Sequence, residues 1–186
     1  MNPEENPWKT LASKSIYDNP WIQLTEFDVI NPGGGTGIYG KVHFKNRAVG
    51  VMVLDEHHNT YLVGQYRYTL EAYSWEIPEG GGPVGTDPLD SAKRELLEET
   101  GLVAKQWDQL LEMHLSNSVS DELAILYLAT DLTQYQAEPE ETEQLQIKKL
   151  PFEEAYQMVI NGEIKDSMSV AAIQKTKLLF LEGKLK

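Results

Sequence analysis

With 186 residues and a formal charge of −13, from 16 basic against 29 acidic side chains, the chain fits one domain with a sizeable core. The charge argues against non-specific binding to nucleic acid or an anionic membrane, which need clustered basic residues, and the absence of cysteine excludes a disulfide framework and a thiolate metal site. The N-terminal MNPEENPWKT lacks a basic start followed by an apolar run, and nothing approaches the roughly eighteen apolar residues of a membrane span, so a cytoplasmic protein is expected.

In chain order, residues 1–14 read as polar and irregular. Residues 16–30 alternate unevenly and are broken by Asn19-Pro20, which predicts two short strands or a bent one. Asn31-Pro32-Gly33-Gly34-Gly35 turns the chain, and residues 37–44 return as a strand. Residues 48–54, AVGVMVL, form a nearly continuous apolar run consistent with a buried strand. Polar Asp55-Glu56-His57-His58-Asn59 separates them from residues 60–66, and the whole predicts a hairpin with a five-residue loop. His57 and His58, adjacent in that loop, read as solvated turn residues rather than metal ligands.

Trp75-Glu76-Ile77-Pro78 ends a short strand and leads into a glycine-rich turn beginning at Gly80. A helix follows over about 88–100: Asp87 can cap its free N–H groups, Pro88 suits its first position, Asp90 stands three residues after the cap, and Gly101 stops it. Further strands are predicted at 107–115 and 122–129. The second, ELAILYLA, fits a helix equally by periodicity, but its length and the turn at Ser116-Asn117-Ser118 favour a strand. Residues 131–143 read as an acidic loop and 142–150 as a last strand. Pro151-Phe152 opens a helix that ends at Asn161-Gly162, and residues 167–181 form a longer amphipathic helix with Val170, Ile173, Leu178 and Leu181 available for burial. The sum is a mixed sheet between helices.

The predicted 88–100 helix carries the chemistry. Glu95, Glu98 and Glu99 stand at i, i+3 and i+4 and project from one face. Like charges so placed repel by about a few tenths of a kcal/mol per pair, and Arg94, four residues before Glu98, offsets part of this. A solvated acidic face is one reading. The other is a hard divalent cation, since Mg2+ characteristically bridges protein carboxylates to substrate phosphates.

Residues 80–102, GGGPVGTDPLDSAKRELLEETGL, resemble the Nudix box, G-x5-E-x7-R-E-U-x-E-E-x-G-U with U aliphatic. Gly80 matches the leading glycine, and Arg94-Glu95-Leu96-Leu97-Glu98-Glu99-Thr100-Gly101-Leu102 matches the second half in register, while Thr86 stands where the box has its first glutamate. The resemblance implies an α/β fold, the Nudix-type α/β/α sandwich with mixed sheet plus N-terminal antiparallel strands. Residues 1–45 would be an N-terminal strand segment serving dimerisation, and residues 46–186 the hydrolase domain. It also implies Mg2+, with Mn2+ as a substitute, held by Glu95 and Glu99, with Glu98 close behind, and by the backbone carbonyl of Glu79. Arg94 would hold a glutamate by a charged hydrogen bond. Asp87 or Asp90 can offset the missing charge at Thr86.

Gln65-Tyr66-Arg67 and Trp75-Glu76-Ile77-Pro78-Glu79-Gly80 look like the Q-Y/F-R and W-E-x-P-x-G segments of the ADP-ribose pyrophosphatase and nucleoside diphosphate sugar hydrolase branch. That branch implies a homodimer, an Arg67 contact with phosphate or ribose, and an N-terminal aromatic, Tyr17 or Trp21, stacked on the nucleobase. An ion pair is the other reading of Arg67, and interface packing the other reading of the aromatics. Glu138, Glu140, Glu141 and Glu143 compose a solvated loop by composition. By resemblance Glu141 is the general base and Glu143 a further metal ligand, so the implied catalytic set is Glu141, Arg94 and Glu98.

The reaction implied is hydrolysis of the pyrophosphate of ADP-ribose, an ADP-sugar or a GDP-sugar, giving a nucleoside monophosphate and a sugar phosphate. Ser116-Asn117-Ser118-Val119-Ser120-Asp121-Glu122 lacks the proline that marks ADP-ribose preference in some members, which leaves room for other nucleotide sugars. Two alternatives stand beside it: cleavage of dinucleoside polyphosphates or nucleoside triphosphates, and a non-catalytic nucleotide-binding module whose one support is Thr86.

Overall fold

A computed structural model describes residues 4–136 and 145–185. The chain divides into two compact units, Met1–Asn46 with His114–Glu122, and Arg47–Met113 with Leu123–Lys186.

In the first unit, β1 (Lys9–Asp18), β2 (Ile22–Ile30) and β3 (Thr36–Phe44) form an antiparallel sheet in that order. The first strand begins inside the stretch expected to be irregular. Residues 9–14 pair with residues 26–30 of β2, and this ladder, not an apolar pattern, holds them extended: every residue of β1 is exposed, so no alternation marks it in the sequence. Asn19 makes the turn after it by accepting the N–H groups of Trp21 and Ile22 at 2.9 and 2.7 Å. The 114–122 segment is held to β3 by Asp121, which accepts the Phe44 N–H at 3.0 Å and pairs with Lys41 and His43.

The second unit contains β4 (Asn46–Val53), β5 (Asn59–Arg67), β6 (Ala72–Glu76), β7 (Glu79–Pro83), α1 (Pro88–Thr100), β8 (Leu102–His114), β9 (Leu123–Gln134), β10 (Gln146–Pro151), α2 (Phe152–Ile160) and α3 (Ser167–Leu181). Its strands make a four-stranded sheet, β7-β4-β9-β8, with β4 parallel to β9, and a three-stranded antiparallel sheet, β10-β5-β6. This is a mixed α/β fold. β4 and β5 are not a hairpin: the chain does reverse at Asp55, whose N–H donates to Asn59 O at 3.0 Å, but the two strands then join different sheets.

Both faces of β4 are covered, which explains its unbroken apolar run. Val49, Val51 and Val53 pack with Ala92 and Leu96 of α1 and with Ile125, Tyr127 and Ala129 of β9. On the other face a Cβ at Gly50 would lie 2.9 Å from Leu126 Cδ2 and 3.0 Å from Ile77 Cδ1. Asp87 accepts the Leu89 N–H at 3.0 Å at the start of α1, and Gly101, at φ 71°, closes it by donating to Leu97 O at 2.8 Å.

Along α3 the buried stripe is Met168, Ser169, Ala172, Ile173 and Thr176, whereas Leu178 and Leu181 are exposed, contrary to expectation. Within the described residues no helix is long and apolar enough to cross a membrane.

Candidate active site

The glycine-rich stretch after Pro78 is a strand, β7, and not a turn. Successive side chains of a strand point to opposite faces, so Gly80 and Gly82 share one face. There α1 lies almost on the backbone. A Cβ at Gly80 would sit 2.2 Å from the Glu95 carboxylate, and one at Gly82 would sit 2.6 Å from Ser91 Oγ. Glycine is needed here for close approach. The turn comes later, where the Thr86 N–H and hydroxyl donate to Pro83 O at 3.2 and 2.8 Å.

On α1, Arg94 binds two carboxylates at once. Its Nη1 donates to Glu98 Oε2 at 2.6 Å, and its Nη2 donates to Glu95 Oε1 at 2.6 Å and to Gly81 O at 2.9 Å. Burial alone would lower the guanidinium pKa; the Glu95 and Glu98 charges outweigh it and raise the pKa. Glu99 is 2% exposed, and its Oε2 accepts the Glu79 N–H at 2.9 Å. The three glutamates of the helix are thus held by β7 from beneath and by Arg94 from the side.

The chain reaches β7 by changing sheets, from the three-stranded one at Glu76 to the four-stranded one at Glu79. Across this crossover the polar groups are met one by one. The Ile77 N–H donates to Ser169 Oγ at 2.9 Å. Pro78 has no N–H, and its carbonyl accepts from Val51 N at 2.8 Å.

Beside the crossover lies a second charged group. Arg67 Nε donates to both oxygens of Glu76 at 3.0 Å, and its Nη2 reaches Glu76 Oε2 and, at 3.0 Å, Glu79 Oε1. One carboxylate oxygen from each of Glu76, Glu79 and Asp166 lies within 4.8 Å of the other two. Glu79 Oε2 is buried and has no hydrogen bond among the described residues. Burial first, then the Asp166 and Glu76 charges, hold the Glu79 carboxyl well above its usual range, and Arg67 only partly opposes them. Burial would lower the Arg67 pKa, but its bond to Glu76 and the surrounding carboxylates raise it.

An all-oxygen donor set with surplus negative charge and an orphaned buried carboxylate oxygen fits a hard divalent cation. That set is Glu76, Glu79 and Asp166; the predicted Glu95, Glu98 and Glu99 stand at the contact of α1 with β7, held by Arg94 and by the Glu79 N–H. Arg67 is placed by its ion pairs with Glu76 and Glu79. Tyr17 and Trp21, in the first unit, are 54% and 65% exposed. Glu138, Glu140, Glu141 and Glu143 lie outside the described residues. Asp166 and Ser169 were not singled out from the sequence. The one local signal was their place at a helix start, where such residues are ordinary caps.

Two domain families match the chain. Residues 44–169 match the NUDIX domain, and residues 8–42 match the nucleoside diphosphate sugar hydrolase N-terminal domain. An ADP-ribose pyrophosphatase of Mycobacterium tuberculosis is 34% identical over 174 residues, spanning 91% of this chain and 83% of that one. An ADP-ribose pyrophosphatase of Bacillus subtilis is 31% identical over 172 residues, spanning 91% and 92%. Among solved structures, that of an ADP compounds hydrolase superposes with a TM-score of 0.84 over 96% of this chain and 97% of the other at 19% identity, a likeness of fold. With the box residues gathered at one strand–helix contact and the domain matched over more than half its length, this chain belongs to the NUDIX family.

Proposed function

We propose that the protein hydrolyses the pyrophosphate bond of a nucleoside diphosphate sugar, releasing a nucleoside monophosphate and a sugar phosphate, with Mg2+ as its cation and Mn2+ as a substitute. The observation that carries this is the array of Glu95, Glu98 and Glu99 fixed by Arg94 and by the Glu79 N–H. The likeness to two ADP-ribose pyrophosphatases over 91% of this chain supports the substrate class.

A bound divalent cation neutralises charge on phosphate oxygens and makes a water more acidic. Glu95, Glu98, Glu99 and the Glu79 carbonyl would hold it. Arg94 holds Glu95 and Glu98 in place. Glu141, assigned from sequence alone, takes the proton of the attacking water, and Glu143 adds a ligand. Arg67 is the candidate contact with phosphate or ribose, and its bonds to Glu76 and Glu79 support the other reading, a brace across the crossover.

Tyr17 and Trp21 are the candidates for stacking on the base. Residues 1–45 are proposed to form the dimerisation element of a cytoplasmic homodimer and residues 46–186 its hydrolase domain. The exposed Leu11, Ile16, Tyr17, Trp21 and Ile38 of the first unit support this.

The test is incubation of the purified protein with Mg2+ and a panel of ADP- and GDP-sugars. Nucleoside monophosphate and sugar phosphate are the expected products, and the absence of both across the panel rejects the activity.

A further inference from the structure

Helix α3 meets the site's framework at the crossover between sheets. Its first turn is capped by Asp166, whose Oδ2 accepts the Ser169 N–H at 2.7 Å. Ser169 itself is fully buried, and its Oγ accepts the Ile77 N–H 92 residues earlier in the chain. This bond falls where the chain leaves one sheet for the other, so it replaces a ladder bond at a buried donor that would otherwise be orphaned. Two residues on, the Glu79 N–H holds Glu99 Oε2. Pro78, with φ fixed by its ring, stands between them, so a displacement at Ile77 is transmitted to Glu79 more than absorbed. Asp166 supports the same bond, since its carboxylate caps the turn that carries Ser169.

We propose that Ser169 and Asp166 are positioning residues for the box carboxylates: they anchor the crossover at residues 77–79, and the Glu79 N–H thereby sets the orientation in which Glu99 receives a divalent cation. The inference rests on the reading of Glu99 as a metal ligand.

The experiment is a Mn2+ titration of the full chain without substrate, followed by electron paramagnetic resonance, for the wild type, Ser169→Ala and Thr176→Ala. Thr176 is equally buried on the same helix, and its Oγ1 has no hydrogen bond among the described residues, so its truncation disturbs α3 without releasing the crossover. Ser169→Ala is expected to weaken Mn2+ binding about tenfold, as loss of a residue supporting a ligand does, and Thr176→Ala by no more than about twofold. With a nucleotide sugar, Ser169→Ala should lower kcat and leave KM nearly unchanged.

Wild-type Mn2+ affinity in Ser169→Ala overturns the proposal, and so does equal weakening in both variants. Should Ser169→Ala fail to fold, Ser169→Cys, close in shape but a weaker acceptor for the Ile77 N–H, takes its place. Several-fold weaker Mn2+ binding supports the proposal and unchanged binding overturns it. Mn2+ binding by a wild type inactive on every nucleotide sugar would reject the proposed activity alone, since the affinities of the variants still decide this inference.

Discussion

Gly80→Ala tests the contact on which the site is built. The new Cβ would stand 2.2 Å from Glu95 Cδ and Oε1 and 2.5 Å from Oε2. Non-bonded carbon contacts are comfortable at about 3.5–4.0 Å, so the carboxylate must retreat by more than about 1 Å. It cannot do so without straining the 2.6 Å bond from Arg94 Nη2. A misplacement of about 1 Å in a reacting constellation costs about 100-fold in rate. Overpacking costs about 1–3 kcal/mol, and each kcal/mol lowers Tm by about 2–4 °C for a chain of this size.

The assay is kcat/KM on the best nucleotide sugar at saturating Mg2+, with thermal unfolding on the same samples. Gly85→Ala is the control. It sits at φ 98° with nothing within 4 Å of its Cβ, so it should lose comparable stability through backbone strain and keep nearly full activity. Gly80→Ala with wild-type kcat/KM, or the same activity loss in both variants, would refute the reasoning.

Three other outcomes are expected. Glu141→Gln should lower kcat by about 100-fold or more, the scale of general-base catalysis, with Mn2+ binding little changed; wild-type turnover rejects the base assignment. Leu96→Ala removes a side chain 1% exposed between α1 and β4 and should cost about 2–5 kcal/mol in urea unfolding. Asp55 accepts the His57 and Asn59 N–H groups at 2.9 and 2.8 Å and pairs with Lys149 at 2.7 Å. Burial would raise its carboxyl pKa, but the Lys149 and Asn59 bonds outweigh this and hold it far below 3.8. The unfolded chain therefore binds more protons at acid pH, so this stabilisation is complete above 3.8 and lost as pH falls further. Asp55→Ala should cost about 1.5–3 kcal/mol at neutral pH and flatten the acid limb of the stability profile; an unchanged slope there counts against the assignment.

What could be read from the sequence was what local spacing encodes. The bounds of α1 follow from Asp87, Pro88 and Gly101, and the i, i+3, i+4 spacing of the glutamates places them on one face without knowledge of the fold. Pairing was not legible: Asp55 and Asn59 announce that the chain reverses, but not that β4 then seeks β9 while β5 seeks β10 and β6. The glycines were misread for a related reason. A run of glycine signals either a turn or a close neighbour, and the neighbour here, Glu95, is known only once α1 is laid on β7. Ser169 was hidden by the same distance in sequence, since nothing near it announces a bond to Ile77. β1 escaped notice because its extension comes from its partner strand and not from a buried face.

The change of sheet before β7 also governs where this chain can tolerate a change in length. One residue added between Glu76 and Gly80 would slip β7 by a single position and turn its two faces over. A residue bearing a side chain would then occupy the place beneath Glu95 where not even a Cβ fits. The exposed turn at Val84-Gly85-Thr86, only a few residues later, has no such register to keep. Insertions there lengthen a surface loop at small entropic cost and leave strand and helix in contact. Variation in the spacing between the glycine strand and the glutamate helix therefore has one permissive site in this protein, on the far side of β7 from the crossover.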